Sequence, residues 1–305
     1  MKLVSVIIPT YNRQKYLKNA INSVLNQTYE NIELIIIDDN SNDNTQSYVE
    51  NINDNRLIYI KNSKNLKAPK SRNIGIEKSR GDYIAFLDDD DTWHKTKLEK
   101  QIRLFDNKKV GLVYSAIELF FEDLNFSYTS NPQKRGYIYK DILINNYIGA
   151  TPSVLIRKEA LLSIKDNKND FFDSNFPARQ DYDLWIRVCK KWDVDFINIP
   201  TVKQNYRSKI NRISTNLNNH IEAHTLMNSK YSFEINQHLS KELKSQRITN
   251  QYLFLAAQAI KIYNTKLSRK FYLKAFNHSR SLKILIMYFA TFFGPKFILK
   301  LRSYK

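Results

Sequence analysis

A chain of 305 residues that is 42% hydrophobic and 13% aromatic can bury a sizeable core, which excludes disorder as its main state. Its net charge of +18 favours contact with nucleic acid, anionic lipid or phosphorylated small molecules without choosing among them. The single cysteine, Cys189, excludes an internal disulfide framework and a cysteine-rich zinc site, so a reducing compartment is expected.

In chain order, residues 4–8 are an apolar, β-branched run, too short for a signal-peptide core and followed by no small-residue cleavage pattern, so a first strand is expected. Similar runs at 33–37, 57–60 and 83–87 predict further strands, the second and fourth apolar throughout, as strands covered on both faces should be. Residues 14–25, 45–51 and 68–78 predict intervening helices, the first with Tyr16, Leu17, Ala20, Ile21, Val24 and Leu25 on one face. This alternation defines βα units around a mostly parallel sheet. A helix over 95–105 and an apolar strand near 111–121 follow. Residues 122–149, punctuated by Asn, Ser, Pro and Gly, read as a loop-rich insertion. Residues 179–192 have helical spacing with Asp181 and Asp183 at the acidic start, and a strand over 194–199 is expected to end at Pro200.

Three polar clusters follow strand ends: Pro9-Thr10-Tyr11-Asn12, Asp38-Asp39-Asn40-Ser41 and Asp88-Asp89-Asp90-Asp91. Ligands of open parallel sheets bind at the carboxyl ends of the strands, so the clusters should converge on one crevice. Ser41 and Asp43 could instead cap the next helix. Four adjacent carboxylates have no basic sequence neighbour closer than Arg80 and Lys95, and such a concentration calls for a hard divalent cation, Mn²⁺ or Mg²⁺. In extended chain Asp88 and Asp90 would share one face and Asp89 and Asp91 the other. An ion held by one or two carboxylates keeps positions open for a diphosphate, which points to a nucleotide. With only six glycines, the chain has no G-x-G-x-x-G and no G-x-x-x-x-G-K-[ST]; H-E-x-x-H and G-x-S-x-G are also missing.

Four segments in order, Val4 to Arg13, Glu33 to Ser41, Ser71-Arg72-Asn73-Ile74-Gly75-Ile76 and Gly81 to Asp91, resemble the family 2 inverting glycosyltransferases of the GT-A fold. A weaker similarity continues through Arg179-Gln180-Asp181-Tyr182-Asp183-Leu184-Trp185 and Tyr206-Arg207. The resemblance implies an α/β chain with a Rossmann-like, mostly parallel sheet flanked by helices. It would comprise a nucleotide-sugar half at 1–106, an acceptor half at 107–215 and a basic helical extension at 216–305. It implies a nucleotide-diphosphate sugar donor, UDP being expected, and metal-assisted transfer with inversion to a glycan or lipid-linked acceptor in bacterial surface-polysaccharide synthesis. Carried over position by position, Pro9 and Tyr11 would shape the base pocket, and Asp39 would accept a hydrogen bond from the base. Arg72 would lie near the nucleotide and Asp89 near the ribose or sugar. Asp90 would be the principal metal ligand, Asp88 a metal-proximal group and Asp181 the general base. Helix capping is the competing role for Asp181, and Asp183 competes for it.

The chain departs from processive members of that family: it lacks Gln-x-x-Arg-Trp, with Gln180 followed by Asp183-Leu184, and has no membrane span, so a non-processive enzyme is expected. The segment from Arg207 to Arg212 lacks the His often found there, leaving Arg207 and Arg212 as candidates to close over the diphosphate. From 243 to 305 there are 13 Lys or Arg and no acid, leaving residues 1–242 with +5. The segment 282–302 joins large apolar residues to purely cationic ones, which suits either an anionic membrane surface or packing on the enzyme. The expected location is the cytoplasm, peripheral on the inner face of the plasma membrane. Two other readings stay open, a nucleotidyltransferase and a non-catalytic basic protein on nucleic acid or membrane. Carboxylates at the binding edge oppose a nucleic-acid partner.

Overall fold

The computed structural model describes residues 1–165, 170–206 and 216–303. Chain order begins β1 (Val4–Thr10), α1 (Gln14–Leu25), β2 (Ile32–Asp38), α2 (Thr45–Glu50), β3 (Leu57–Lys61), α3 (Lys67–Lys78), β4 (Tyr83–Phe86), β5 (Thr92–Trp93), α4 (Lys97–Ile102) and β6 (Val110–Phe121). It continues with β7 (Phe126–Thr129), α5 (Tyr139–Ile144), β8 (Leu155–Arg157), α6 (Lys158–Ile164), α7 (Gln180–Cys189) and β9 (Asp193–Tyr206). The last helices are α8 (Leu217–Lys230), α9 (Ser232–His238), α10 (Lys241–Lys261), α11 (Thr265–Ser279), α12 (Leu282–Ala290) and α13 (Pro295–Ser303).

All the described strands join one sheet in the order β3-β2-β1-β4-β8-β6-β9-β5, with β7 paired to β6. The first four are mutually parallel. Beyond them β8 runs antiparallel to both β4 and β6, whereas β9 is parallel to β6. Apolar residues occupy both faces of the central strands: Ile7, Ile35, Ile84 and Phe86 enter one core, Val6, Ile8, Leu34, Ile36 and Ala85 the other. Side chains alternate across a strand, so covering both faces requires a run without polar interruptions. α3 packs so closely on β1 that a Cβ at Gly75 would sit 2.5 Å from Ile7 Cγ2.

Two expectations change in the second half. The strand expected to end at Pro200 runs on to Tyr206, because register shifts at Ser115/Ala116 and Ala116/Ile117 take up the extra residues where Pro200 falls. A proline that cannot donate to the ladder is tolerated at such an irregularity. Within the expected loop-rich insertion, 126–129 forms a hairpin partner for β6 and 139–144 a helix with Ile142 and Leu143 fully buried.

The C-terminal helices share the interior of the sheet domain. Ala223, Met227, Tyr231 and Leu239 of the α8–α9 region belong to the same core as α7, while Ile260, Ala290, Ile298 and Leu299 join the core on the opposite face. A third core, with Leu255, Phe271, Tyr272 and Ile284, holds α10, α11 and α12 together. No described helix is long and apolar enough to cross a membrane.

Candidate active site

The loops after β1 and β2 lock onto each other: Asn12 N donates to Ser41 Oγ at 2.9 Å and Asn42 N to Asn12 Oδ1 at 2.8 Å. Asn12 and Asn40 adopt left-handed backbone (φ 53° and 69°), a conformation Asn tolerates better than most residues. The N-cap position of α2 is Asn44, without a side-chain cap, and neither Ser41 nor Asp43 holds it; the Asp43 carboxylate accepts from Thr45 N at 3.0 Å and from Gln14 N, the start of α1, at 3.2 Å. Pro9, near the end of β1, is buried, whereas Tyr11 presents an open ring, 44% exposed.

Asp39 is buried and accepts three hydrogen bonds, from Asn62 Nδ2 and Leu66 N on one oxygen and from Lys67 N on the other, all at 2.7–2.8 Å. It therefore fixes the loop leading into α3. Its neighbour Asp38 takes Ser41 N at 2.8 Å and the Tyr59 hydroxyl at 2.6 Å.

Residues 88–91 form a turn closed by Asp91 N to Asp88 O at 3.1 Å, so the alternation expected of extended chain does not hold. The four carboxylates fan out in three directions. Asp88 receives Arg72 Nη2 at 2.6 Å. Asp89 and Asp90 share Arg13 Nη1, each at 3.2 Å, and Asp89 also accepts from Thr10 Oγ1 at 2.9 Å. Asp91 accepts from Gln204 Nε2 and Asn205 N, tying the turn to β9. The expectation that no nearby base neutralises the cluster is corrected: Arg13 and Arg72 are remote in sequence but adjacent in space. Burial dominates Asp89 and, with Asp90 repelling it, outweighs Arg13 and Thr10, so its pKa is pushed up to about 7.

Asp181 stands in the first turn of α7, which has no side-chain cap; the helix starts after Arg179, held at φ 61°. Burial raises its pKa, opposed by the Tyr182 N–H and by the charges of Arg179 and Arg72, and reinforced by Asp88. Asp181 thus lies within electrostatic reach of Arg72 and Asp88, although about a hundred residues separate them. The other acid of that turn, Asp183, is fully buried and serves the packing of the helix, pairing with Lys230 at 2.7 Å and Arg187 at 3.0 Å.

Arg72, Asp88, Asp89 and Asp90 therefore lie together beyond the ends of β1 and β4, Asp181 of α7 is within reach of the charges of Arg72 and Asp88, and Pro9, Tyr11 and Asp39 stand on β1 and the adjoining loops; Asp39 N donates to Thr10 O at 2.8 Å. Arg207 and Arg212 lie outside the described residues. Sequence reasoning assigns no role to Thr10 or Arg13, although both sit in or beside the first polar cluster, nor to Gln204 and Asn205, which carry no local signal. No group of three His, Cys, Asp or Glu gathers as a metal site among the described residues. The Asp88 and Asp90 carboxylates expected as metal ligands are oxygen donors of the hard type, but each is turned to a different arginine, Asp88 to Arg72 and Asp90 to Arg13.

A mostly parallel sheet with polar loops at its strand ends, antiparallel β8 beyond them and C-terminal helices packed on it is the architecture of GT-A glycosyltransferases. The family model described as "Glycosyl transferase family 2" matches residues 5–185, and the chain belongs to that family. Among its relatives, the Escherichia coli UDP-Glc:alpha-D-GlcNAc-diphosphoundecaprenol beta-1,3-glucosyltransferase WfgD is 34% identical over 214 residues, 70% of this chain and 80% of that one. The putative teichuronic acid biosynthesis glycosyltransferase TuaG of Bacillus subtilis is 32% identical over 191 residues, 62% of this chain and 73% of that one. The fold is similar to that of S. aureus TarS 1-349 in complex with UDP-GlcNAc (TM-score 0.53, 17% identity, 92% and 90% of the two chains). It is similar too to mannosyltransferase PcManGT of Pyrobaculum calidifontis in complex with GDP-Man and Mn²⁺ (TM-score 0.59, 14% identity, 93% and 77%). The protein is an enzyme, a family 2 glycosyltransferase.

Proposed function

We propose that this enzyme moves a hexosyl or N-acetylhexosaminyl unit from a UDP-sugar to a lipid-linked glycan acceptor, with inversion at the anomeric carbon, in bacterial surface-polysaccharide assembly. The observation that carries the reading is the pairing of Arg72 with Asp88 at 2.6 Å beyond the end of β4, with the buried Asp181 of α7 within reach of both charges. The relatives WfgD and TuaG support the class of donor and acceptor.

In this reading the exposed ring of Tyr11 stacks on the base beside Pro9, and Asp39 accepts a base N–H while holding the 62–67 loop. Thr10 and Arg13 fix Asp89 towards the ribose or sugar. Asp90 and Asp88 would hold Mn²⁺ or Mg²⁺, which supplies Lewis-acid stabilisation of the charge developing on the leaving diphosphate. Asp181 accepts the proton of the attacking hydroxyl, a contribution of about 10²–10⁴-fold. Its raised pKa makes the carboxylate a stronger base than an exposed one.

The membrane partner belongs to the same reading. α12 buries Ile284 and Ala290 against the body but leaves Leu282, Ile286 and Phe289 exposed, with Phe292, Phe293 and Phe297 exposed just beyond. Residues 282, 286 and 289 lie on one face of α12, within an acid-free stretch rich in Lys and Arg. An apolar face with cationic surroundings suits the headgroup region of an anionic bilayer, where the acceptor lipid would be found. The enzyme would then work from the cytoplasm, peripheral to the inner face of the plasma membrane.

The test is transfer by purified protein from a panel of UDP-, GDP- and dTDP-sugars to a GlcNAc-diphospho-lipid with Mn²⁺ or Mg²⁺, the product anomer read by NMR. Inverted product from a UDP-sugar, lost on chelation and in Asp90→Asn, is the expected outcome. Retained configuration, or full activity of Asp90→Asn in chelator, would overturn the assignment.

A further inference from the structure

Several of the buried and half-buried arginines near these residues answer a carboxylate: Arg13 pairs with Asp89 and Asp90, Arg72 with Asp88 and Arg187 with Asp183. Two do not. Arg179 lies with its guanidinium carbon 4.5 Å from the Tyr182 ring centroid and 4.1 Å from that of Phe254. One of its N–H groups donates to His224 Nε2. Arg247, only 3% exposed, donates to the Leu143 carbonyl and to Asn228 Oδ1. Neither has a carboxylate within ion-pair distance among the described residues. His220 and His224 of α8 stand edge-on or tilted against Phe254 of α10 beside them, both rings buried. The nearest acid in electrostatic reach of Arg179 is Asp181, two residues along.

Removing a guanidinium from water without a carboxylate is costly and neutral acceptors offset only part of that cost, so two such arginines at neighbouring helices suit an anionic ligand. The geometry narrows the kind. With the Tyr182 and Phe254 rings close to the guanidinium and one N–H given to His224, the remaining N–H groups of its planar fork are the ones that suit paired hydrogen bonds to phosphate oxygens. The left-handed backbone at Arg179 (φ 61°) is uncommon for a long side chain and persists where the surroundings hold it.

From these contacts we infer that Arg179, backed by Arg247, receives the diphosphate of the acceptor, the group joining the acceptor sugar to its lipid. The inference rests on the transfer reading above and adds to it a site. Arg72 and the 88–91 turn serve the donor phosphates, while Arg179 is walled by α8 and α10. Asp181, reached by the charges of both Arg72 and Arg179, meets the acceptor hydroxyl between them. The wall that reads the acceptor is thus built partly by helices C-terminal to residue 216.

The experiment compares two acceptors with the same sugar, GlcNAc joined through a diphosphate to a short prenyl chain and octyl GlcNAc, which carries no charge. Wild-type enzyme should favour the diphosphate acceptor in kcat/KM. Arg179→Gln should shrink that preference by about 10- to 100-fold, the range of one or two charge-assisted hydrogen bonds. Arg179→Lys, folded by its thermal melt, should recover part of it. UDP titration assigns the phosphate: weakening of UDP binding as large as the loss of acceptor preference would place Arg179 on the donor and overturn the inference. So would an unchanged preference, or an equal loss on both acceptors, the mark of a residue that only positions Asp181. If wild-type enzyme transfers to both acceptors without preference, the inference fails and the glycosyltransferase reading stands. If no donor is used with either acceptor, that reading itself fails.

Discussion

Replacing Asp183 tests the link between the helix that carries Asp181 and the C-terminal helices. Its carboxylate, fully buried, meets Lys230 Nζ at 2.7 Å, Arg187 at 3.0 Å and the Tyr231 hydroxyl at 2.8 Å. In Asp183→Asn, Lys230 keeps Asp173 at 2.9 Å, but Arg187 is left with Asn in place of its carboxylate and with the Phe171 carbonyl. Breaking a buried pair on one side costs about 3–5 kcal/mol, and the surviving Lys230–Asp173 contact argues for the lower end, about 3 kcal/mol. Urea unfolding monitored by tryptophan fluorescence would show this as a lower midpoint at unchanged slope. A double-mutant cycle with Lys230→Met should give a coupling of about 1–3 kcal/mol. A loss below about 1 kcal/mol, or additivity within about 0.5 kcal/mol, would refute the view that this cluster fastens α7 to α8.

Three further outcomes are expected. Burial raises the Asp181 pKa, and the base must be ionised to act, so kcat should fall with decreasing pH at a value above the ordinary Asp range; an acid limb at or below about 3.9 would contradict this. Gly75→Ala should destabilise the protein by about 1–3 kcal/mol through overpacking against Ile7, and Ile7→Ala should relieve part of the loss in a paired unfolding experiment. Phe289→Ser with Phe293→Ser should weaken flotation with phosphatidylglycerol vesicles at least tenfold without lowering the melting temperature, because both side chains are exposed; equal flotation would remove the membrane assignment. Point changes are preferable to removing 280–305, since Ile284, Ala290, Ile298 and Leu299 are buried in the body.

The parts of the fold legible in the sequence are those governed by local pattern. α1 occupies the predicted 14–25, and β1 to β4 fall within two residues of their expected limits, because two-sided burial leaves a continuous apolar signature. The turn at 88–91 departs from the extended geometry expected of it because its shape depends on Arg13, Arg72 and Gln204, partners between 16 and 113 residues away. β9 outruns Pro200 for a related reason: the bulge that excuses the proline lies in its pairing with β6. The polar clusters and the acidic start of α7 are visible in the residues themselves, and the structure links the three clusters through Asn12–Ser41 and through Thr10 and Arg13 to Asp89. Periodicity does not reveal pairings such as Asp183–Lys230 and Arg179–His224, because nothing in the spacing of α7 records which helix will later cover it.

The shared interior of α7, α8 and α9 has a consequence for exchanging parts between related enzymes. A chimaera joined at residue 216 would carry His220, His224, Arg247 and Phe254 away with the C-terminal piece, and with them much of the enclosure around Arg179. Acceptor preference should then follow the helices rather than the sheet. A junction that keeps one parent's properties intact would have to move residues 139–261 as a single cassette.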